Sequence, residues 1–111
     1  MKVIIIGGER VPYFLAKKLI ASGYKVYFVN KDKELCEEYS RTLNAAIIYG
    51  DGQSKAVLDH LGIEPDDIVV LLTERDRKNF FIARLVQEYY KVRNVVTFLN
   101  NSENEDLFDR Y

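Results

Sequence analysis

Short runs rich in valine and isoleucine alternate with stretches of helical period along the whole chain, and this order narrows the possible folds more than any single residue does. The β-like runs are Val3–Ile6, Val26–Val29, Ala46–Tyr49, Ile68–Leu72 and Val95–Leu99. They barely alternate apolar with polar, the pattern of parallel strands covered on both faces. Between them the period changes to 3.6. Val11, Phe14, Leu15 and Leu19 make one helical face, ended by Gly23; Leu35, Cys36, Tyr39 and Leu43 make a second. A shorter helix carries Val57, Leu58 and Leu61 and stops at Gly62. A fourth, from about Asp76 to Tyr90, offers Phe80, Phe81, Leu85, Val86, Tyr89 and Tyr90, and a Ser102-x-x-Glu105 capping box opens a short fifth. Strict strand–helix alternation with right-handed crossovers predicts an α/β fold: a doubly wound, parallel, five-stranded sheet of order 3-2-1-4-5. It is Rossmann-like but lacks a sixth strand, with residues 1–111 as one domain and a crevice between strands 1 and 4.

Composition excludes several classes of function. With 16 basic and 17 acidic side chains, the chain lacks the basic excess expected of a nucleic-acid or anionic-membrane partner. No apolar run approaches the length that spans a bilayer. The single cysteine, Cys36, rules out an internal disulfide, fits a reducing cytoplasm and reads as a packing residue. His60, the only histidine, stands at a helix end with no metal-ligand spacing around it. No metal site and no catalytic constellation is visible, so the chain reads as a binding domain rather than an enzyme.

The candidate site gathers at the carboxyl edge of the sheet. Gly7 and Gly8 follow strand 1 directly and can turn backbone N–H groups toward an anion; Arg10, one position beyond Glu9, can reach a phosphate. Glu9 stands where a G-x-G-x-x-G fingerprint has its second glycine, and Pro12 where it has its third. A carboxylate about 4 Å from a phosphate costs about 4 kcal/mol at an effective dielectric of 20, unless it turns to solvent or a Mg²⁺ bridges the two. Pro12 is tolerated in a first helical turn but sets the helix farther from the strand. Asn30 ends strand 2 where an aspartate would take the ribose hydroxyls. It can accept one such bond or cap the second helix, and its neutrality beside Lys31 leaves room for a 2′-phosphate. Asp32 suits first-turn dipole chemistry. Asp51, in Gly50-Asp51-Gly52, can meet an adenine amino group or close an Asx-turn. Thr73 is expected to cap the fourth helix, with Asp76 three positions on and Asn79 beyond.

Taken in order, these residues resemble the N-terminal nucleotide-binding domain (RCK or KTN type) of Trk-type potassium-transport regulators. The likeness runs from Lys2-Val-Ile-Ile-Ile-Gly-Gly through Asn30-Lys31-Asp32, Gly50-Asp51-Gly52, Leu72-Thr73 and Asn79 to Asn104-Glu-Asp-Leu-Phe108. The resemblance implies a cytoplasmic regulatory domain that binds AMP, ADP, ATP or NAD(H), AMP or ADP foremost, beside a potassium transporter or channel subunit. By that likeness Gly7, Gly8 and Arg10 hold phosphate, Asn30 and Lys31 the ribose side and Asp51 the adenine. Thr73, Asp76 and Asn79 line the opposite wall. The chain departs from the pattern at Glu9, Pro12, Asn30 and Arg75. The alternatives are an NADP(H)-dependent oxidoreductase module and a trimmed or engineered scaffold without activity. The aromatic arc of the fourth helix is wider than one sheet face requires. Together with Phe108, Tyr111 and the strand-5 edge it predicts a homodimer.

Overall fold

The computed structural model describes residues 1–9 and 11–101; Arg10, the Ser102–Glu105 capping box with its fifth helix, Phe108 and Tyr111 lie outside them. Strands β1 (Lys2–Ile6), β2 (Lys25–Asn30), β3 (Ala46–Tyr49), β4 (Ile68–Leu71) and β5 (Asn94–Thr97) alternate with helices α1 (Val11–Ala21), α2 (Lys33–Thr42), α3 (Lys55–His60) and α4 (Asp76–Tyr89). The strands form one sheet of order β3-β2-β1-β4-β5, every neighbouring pair parallel. This is the predicted doubly wound order.

The pleat explains why β1 needs five residues with hardly a polar one. Val3 and Ile5 point into a core shared with α1 and α2, centred on Phe28, Ala16 and Tyr39. Ile4 and Ile6 point the other way, onto Leu58 of α3 and Ile82 and Val86 of α4. A central strand so covered must be apolar at consecutive positions.

Two helical faces differ from the sequence reading. α4 buries Asp76, Asn79, Ile82, Ala83 and Val86, while Phe81 is 47% and Tyr89 62% exposed. Phe80, Leu85 and Tyr90 sit half-buried at the margin. The inward face is fixed by a small residue, Ala83, that admits the sheet and by Asn79, which bonds the end of β4; large apolar side chains have no obligation to be inside. In α1 the inward positions are Pro12 and Ala16, and Phe14 is 68% exposed. β5 also ends two residues earlier than its apolar run. The Asp76 carboxylate accepts from the backbone N–H groups of Asn100 (2.8 Å) and Asn101 (2.9 Å) and draws the chain over the start of α4.

The amino edge of the sheet, opposite the candidate site, has its own anchor. Asp67 is 1% exposed and accepts from Lys2 N–H and Glu64 N–H, both at 2.8 Å, and from Lys2 Nζ at 2.6 Å. Burial works against its charge, but the bonds from Lys2 and Glu64 outweigh it and hold the carboxyl below the usual carboxylate range. β1 and the turn into β4 are thereby tied at their starts.

Candidate functional site

At its carboxyl edge β1 turns through Gly7 and Gly8, with φ of +85° and +89°, values that L side chains rarely adopt. Space makes the same demand. A Cβ on Gly7 would stand 2.7 Å from Thr73 Cγ2 and 2.9 Å from both N and Cα of Thr73. One on Gly8 would stand 2.5 Å from Pro12 Cγ. Pro12 does not hold α1 off: its ring is buried on the bare face of Gly8, so the bulk missing at one position is supplied at the other.

Asn30 serves the glycine loop. Its Nδ2 donates to Gly8 O (2.9 Å) and its Oδ1 accepts from Asp32 N–H (2.9 Å). It does not cap α2, as it could have done; Asp32 does, accepting from Leu35 N–H at 3.2 Å. An aspartate in this pose would have no donor for Gly8 O, which is a physical reason for the amide here. Tyr39, buried in α2, donates its hydroxyl to Glu9 O, fixing the loop from beneath. The Glu9 carboxylate itself is on an exposed residue. Cys36 packs below, its Sγ 3.5 Å from Asn30 O, and burial raises its thiol.

Across the crevice Thr73 does not cap α4; the cap position is Arg75, with no side-chain bond. Asn79, fully buried, holds Thr73 instead. Its Oδ1 accepts from Thr73 N–H (3.1 Å) and Oγ1 (2.5 Å), and its Nδ2 donates to Thr73 O (3.1 Å). Asn79 and Asp76 therefore stand behind the wall, one bracing Thr73 and the other holding Asn100 and Asn101. Neither lines the cleft.

Gly7, Gly8, Glu9, Asn30, Lys31 and Thr73 do line one cleft, of about 390 Å³, over the switch point. Asp51 is not among the residues that line it, although Gly50 and Gly52 on either side are. It closes an Asx-turn, accepting from Gln53 N–H at 2.9 Å, and meets Lys78 Nζ at 3.4 Å. The Gln53 amide, then Lys78 and Lys31, hold its carboxyl below the ordinary range. Lys78 reaches it from the first turn of α4, spanning the cleft, and its pKa is lowered by burial and by nearby Lys31. Sequence reasoning missed Lys78. Its signal was its place in the helical turn that follows Thr73, the turn that the alternation puts at the carboxyl edge. A second cleft, about 420 Å³, shares Gly8, Glu9, Thr73 and Glu74 and continues past Leu72, Phe98 and Asn100 toward β5. The cleft is lined by three cations, Lys31, Arg75 and Lys78, and three carboxylates, Glu9, Asp32 and Glu74, so an anion attached to a flat nucleoside would be met by the glycine turn, free of Cβ atoms, rather than by an excess of positive charge. Among the described residues no group of three His, Cys, Asp or Glu side chains could hold a metal.

A family model described as the TrkA-N domain matches residues 3–111. The chain belongs to the TrkA-N domain family. This TrkA-N domain is 31% identical over 110 residues to the Trk system potassium uptake protein TrkA homolog of Methanothermobacter thermautotrophicus, covering 99% of the chain and 50% of that protein. With the Trk system potassium uptake protein TrkA of Halomonas elongata it shares 31% identity over 107 residues, 96% of the chain and 23% of that protein. The TrkA-N domain thus spans half or less of the length of these curated relatives. In structure it resembles the NAD(P)-binding domain of an exopolyphosphatase-related protein from Archaeoglobus fulgidus, with a TM-score of 0.79 at 20% identity. That match covers 98% of this chain and 80% of the other. At that identity the likeness is one of fold.

Proposed function

We propose that this TrkA-N domain is a regulatory, non-catalytic module of a potassium transport system that binds an adenine nucleotide, AMP or ADP foremost, across its switch point. The observation that carries the reading is the loop of Gly7 and Gly8, held open by Asn30 and Tyr39 and facing Lys31 and Lys78 over one cleft. The names of its relatives, potassium uptake proteins, support the physiological setting. The Gly7 N–H is given to Val29 O at 2.9 Å, so the nucleotide's phosphate lies against the bare face of the turn at Gly8, and its nucleoside runs outward over the ends of β2 and β3. Ligand binding biases the geometry of an assembly attached to a membrane transporter on its cytoplasmic face. No helix among the described residues is long and apolar enough to cross a membrane; the attachment proposed is through a partner.

Mononucleotides are favoured because Glu9 and Glu74 stand where the two clefts join. A second phosphate on the way to the β5 side passes these carboxylates. Glu9→Gly is expected to tighten ADP and NADH about fivefold more than AMP, near the ~1 kcal/mol that unit charges 4 Å apart exchange in bulk water. Calorimetric titration of both forms checks this; equal changes for all three ligands would place Glu9 outside the ligand's path. Saturating AMP at 100 times its Kd should also stabilise the fold by about 2.7 kcal/mol. Thermal unfolding indifferent to nucleotide would refute the binding function itself.

The module is further proposed to work as a homodimer. Phe81 and Tyr89 on α4, Val96 on β5 and Phe98 and Leu99 just beyond it are exposed, and exposed apolar side chains that gather in one patch mark interfaces. Phe81→Glu should dissociate the dimer in sedimentation at micromolar concentration and Glu38→Lys should not. Only a 12.9 kDa species in the unsubstituted protein would contradict it.

A further inference from the structure

The loop between β3 and α3 folds inward over the end of β1. Gly52 is buried there, and a Cβ on it would stand 2.4 Å from Ile6 Cγ2 and 3.3 Å from Ile82 Cδ1. This close approach brings the loop against α4 and puts Asp51 within reach of Lys78 Nζ, at 3.4 Å. The two partners are not equally placed. Lys78 lines the cleft and Asp51 does not. The Asp51 oxygen that meets the Lys78 ammonium also accepts from Gln53 N–H. The carboxylate expected from the sequence to meet an adenine amino group is therefore screened by an ammonium, and the side chain that faces the cleft at this level is a donor.

We propose that the Lys78–Asp51 pair sets the base selectivity of the cleft: it presents N–H donors to position 6 of a purine, so that nucleotides of the 6-oxopurine class bind there as well as AMP does. This rests on the nucleotide-binding reading above and names the bases that the site admits. Strand order sets the position. With the phosphate at the end of β1, the sugar lies over the end of β2 and the base over the end of β3, in successive steps of about 4.8 Å. Asp32, the carboxylate that lines the cleft after β2, is level with the sugar on that path, and one of its oxygens caps α2 through Leu35 N–H. Lys78 is level with the base, since it reaches the loop that follows β3. Chemistry sets the preference. Adenine carries an amino group at position 6, a donor that needs an acceptor. Hypoxanthine and guanine carry a carbonyl oxygen there, an acceptor that needs a donor. An ammonium has three N–H groups and no acceptor. Asp51 engages one of them, which leaves donors for a carbonyl oxygen, and a hydrogen bond from a charged donor is among the stronger ones. Facing the same ammonium, the amino group of adenine finds no bond.

The test is calorimetric titration of the intact chain with AMP and with inosine 5′-monophosphate, which share sugar and phosphate and differ only at position 6 and in the proton on N1. The inosine nucleotide should bind at least as tightly as AMP. Lys78→Met removes the donor and uncovers the Asp51 carboxylate as an acceptor. It should therefore shift the ratio of inosine to adenosine affinity about tenfold toward AMP, the lower end for a hydrogen bond to a charged group. Asp51→Ala leaves the ammonium in place and should keep that ratio at or above one. The ratio cancels any general weakening of the cleft, and unliganded thermal unfolding verifies that each variant is folded. A clear preference of the unsubstituted chain for AMP, a ratio that Lys78→Met leaves intact, or one that Asp51→Ala brings below one would overturn the assignment while leaving the nucleotide function standing. Failure of both nucleotides to bind would overturn the two together.

Discussion

Replacing Gly7 with alanine is expected to cost about 2–5 kcal/mol of folding free energy and to abolish nucleotide binding. Two costs add. An L residue at φ +85° carries about 1–2 kcal/mol of left-handed strain. The new Cβ would also press within 2.9 Å of the Thr73 N and Cα, and overpacking of this kind costs about 1–3 kcal/mol. Thr73 cannot easily give way, because Asn79 holds its N–H, hydroxyl and carbonyl at once. Gly23→Ala separates the two costs. Gly23 has φ +92°, but a Cβ there would meet nothing within 4 Å, so its alanine should lose only the strain, about 1–2 kcal/mol. Urea denaturation of both variants measures the difference; equal losses would mean that the junction of β1 and β4 is looser than described.

Asp67→Ala should lower stability at neutral pH by about 3 kcal/mol, a large share of the 5–15 kcal/mol typical of a domain, with the cleft unaltered. Removing the carboxylate strands Lys2 N–H and Glu64 N–H in a buried place and takes a partner from Lys2 Nζ. That ammonium keeps Gly62 O at 2.6 Å, which sets the cost at the lower end for a broken buried pair. The dependence on pH follows from the lowered pKa of Asp67. A group held below its unfolded value contributes stability in full above that value, near 3.9. The contribution disappears as pH falls through the folded pKa. The gap between the unsubstituted chain and Asp67→Ala should therefore be widest near neutrality and narrow in acid. A gap that widened on acidification would contradict the assigned charge state.

The fold was legible because each of its strands is a short Val/Ile run and each crossover helix has its own start or stop, as with Gly23 after α1 and Gly62 after α3. The Gly-Gly turn, Asn30-Lys31 and Gly50-Asp51-Gly52 followed from the same alternation, since every strand of a parallel sheet delivers its following residue to one edge. What stayed hidden depended on which side chain another had already engaged. Asn79 and Asp76 resemble wall residues in sequence, yet one is spent on Thr73 and the other on Asn100 and Asn101. Lys78 resembles an ordinary solvated helical lysine, and only the crossing to Asp51 makes it part of the cleft. Which residues of α4 turn inward was not legible, because burial followed Asn79 and Ala83 rather than the largest apolar residues.

Nucleotide binding at the carboxyl edge of the sheet is the claim on which the proposed function stands. Its most direct test is an amide chemical-shift titration of the uniformly ¹⁵N-labelled chain with adenosine 5′-monophosphate. The amides of Gly7, Gly8, Lys31, Gly52 and Thr73 should move along one saturable course complete below millimolar ligand, while those of Lys2, Glu64 and Asp67 at the opposite edge stay in place. No movement at millimolar nucleotide, or movement centred on the Lys2–Asp67 edge, would contradict it.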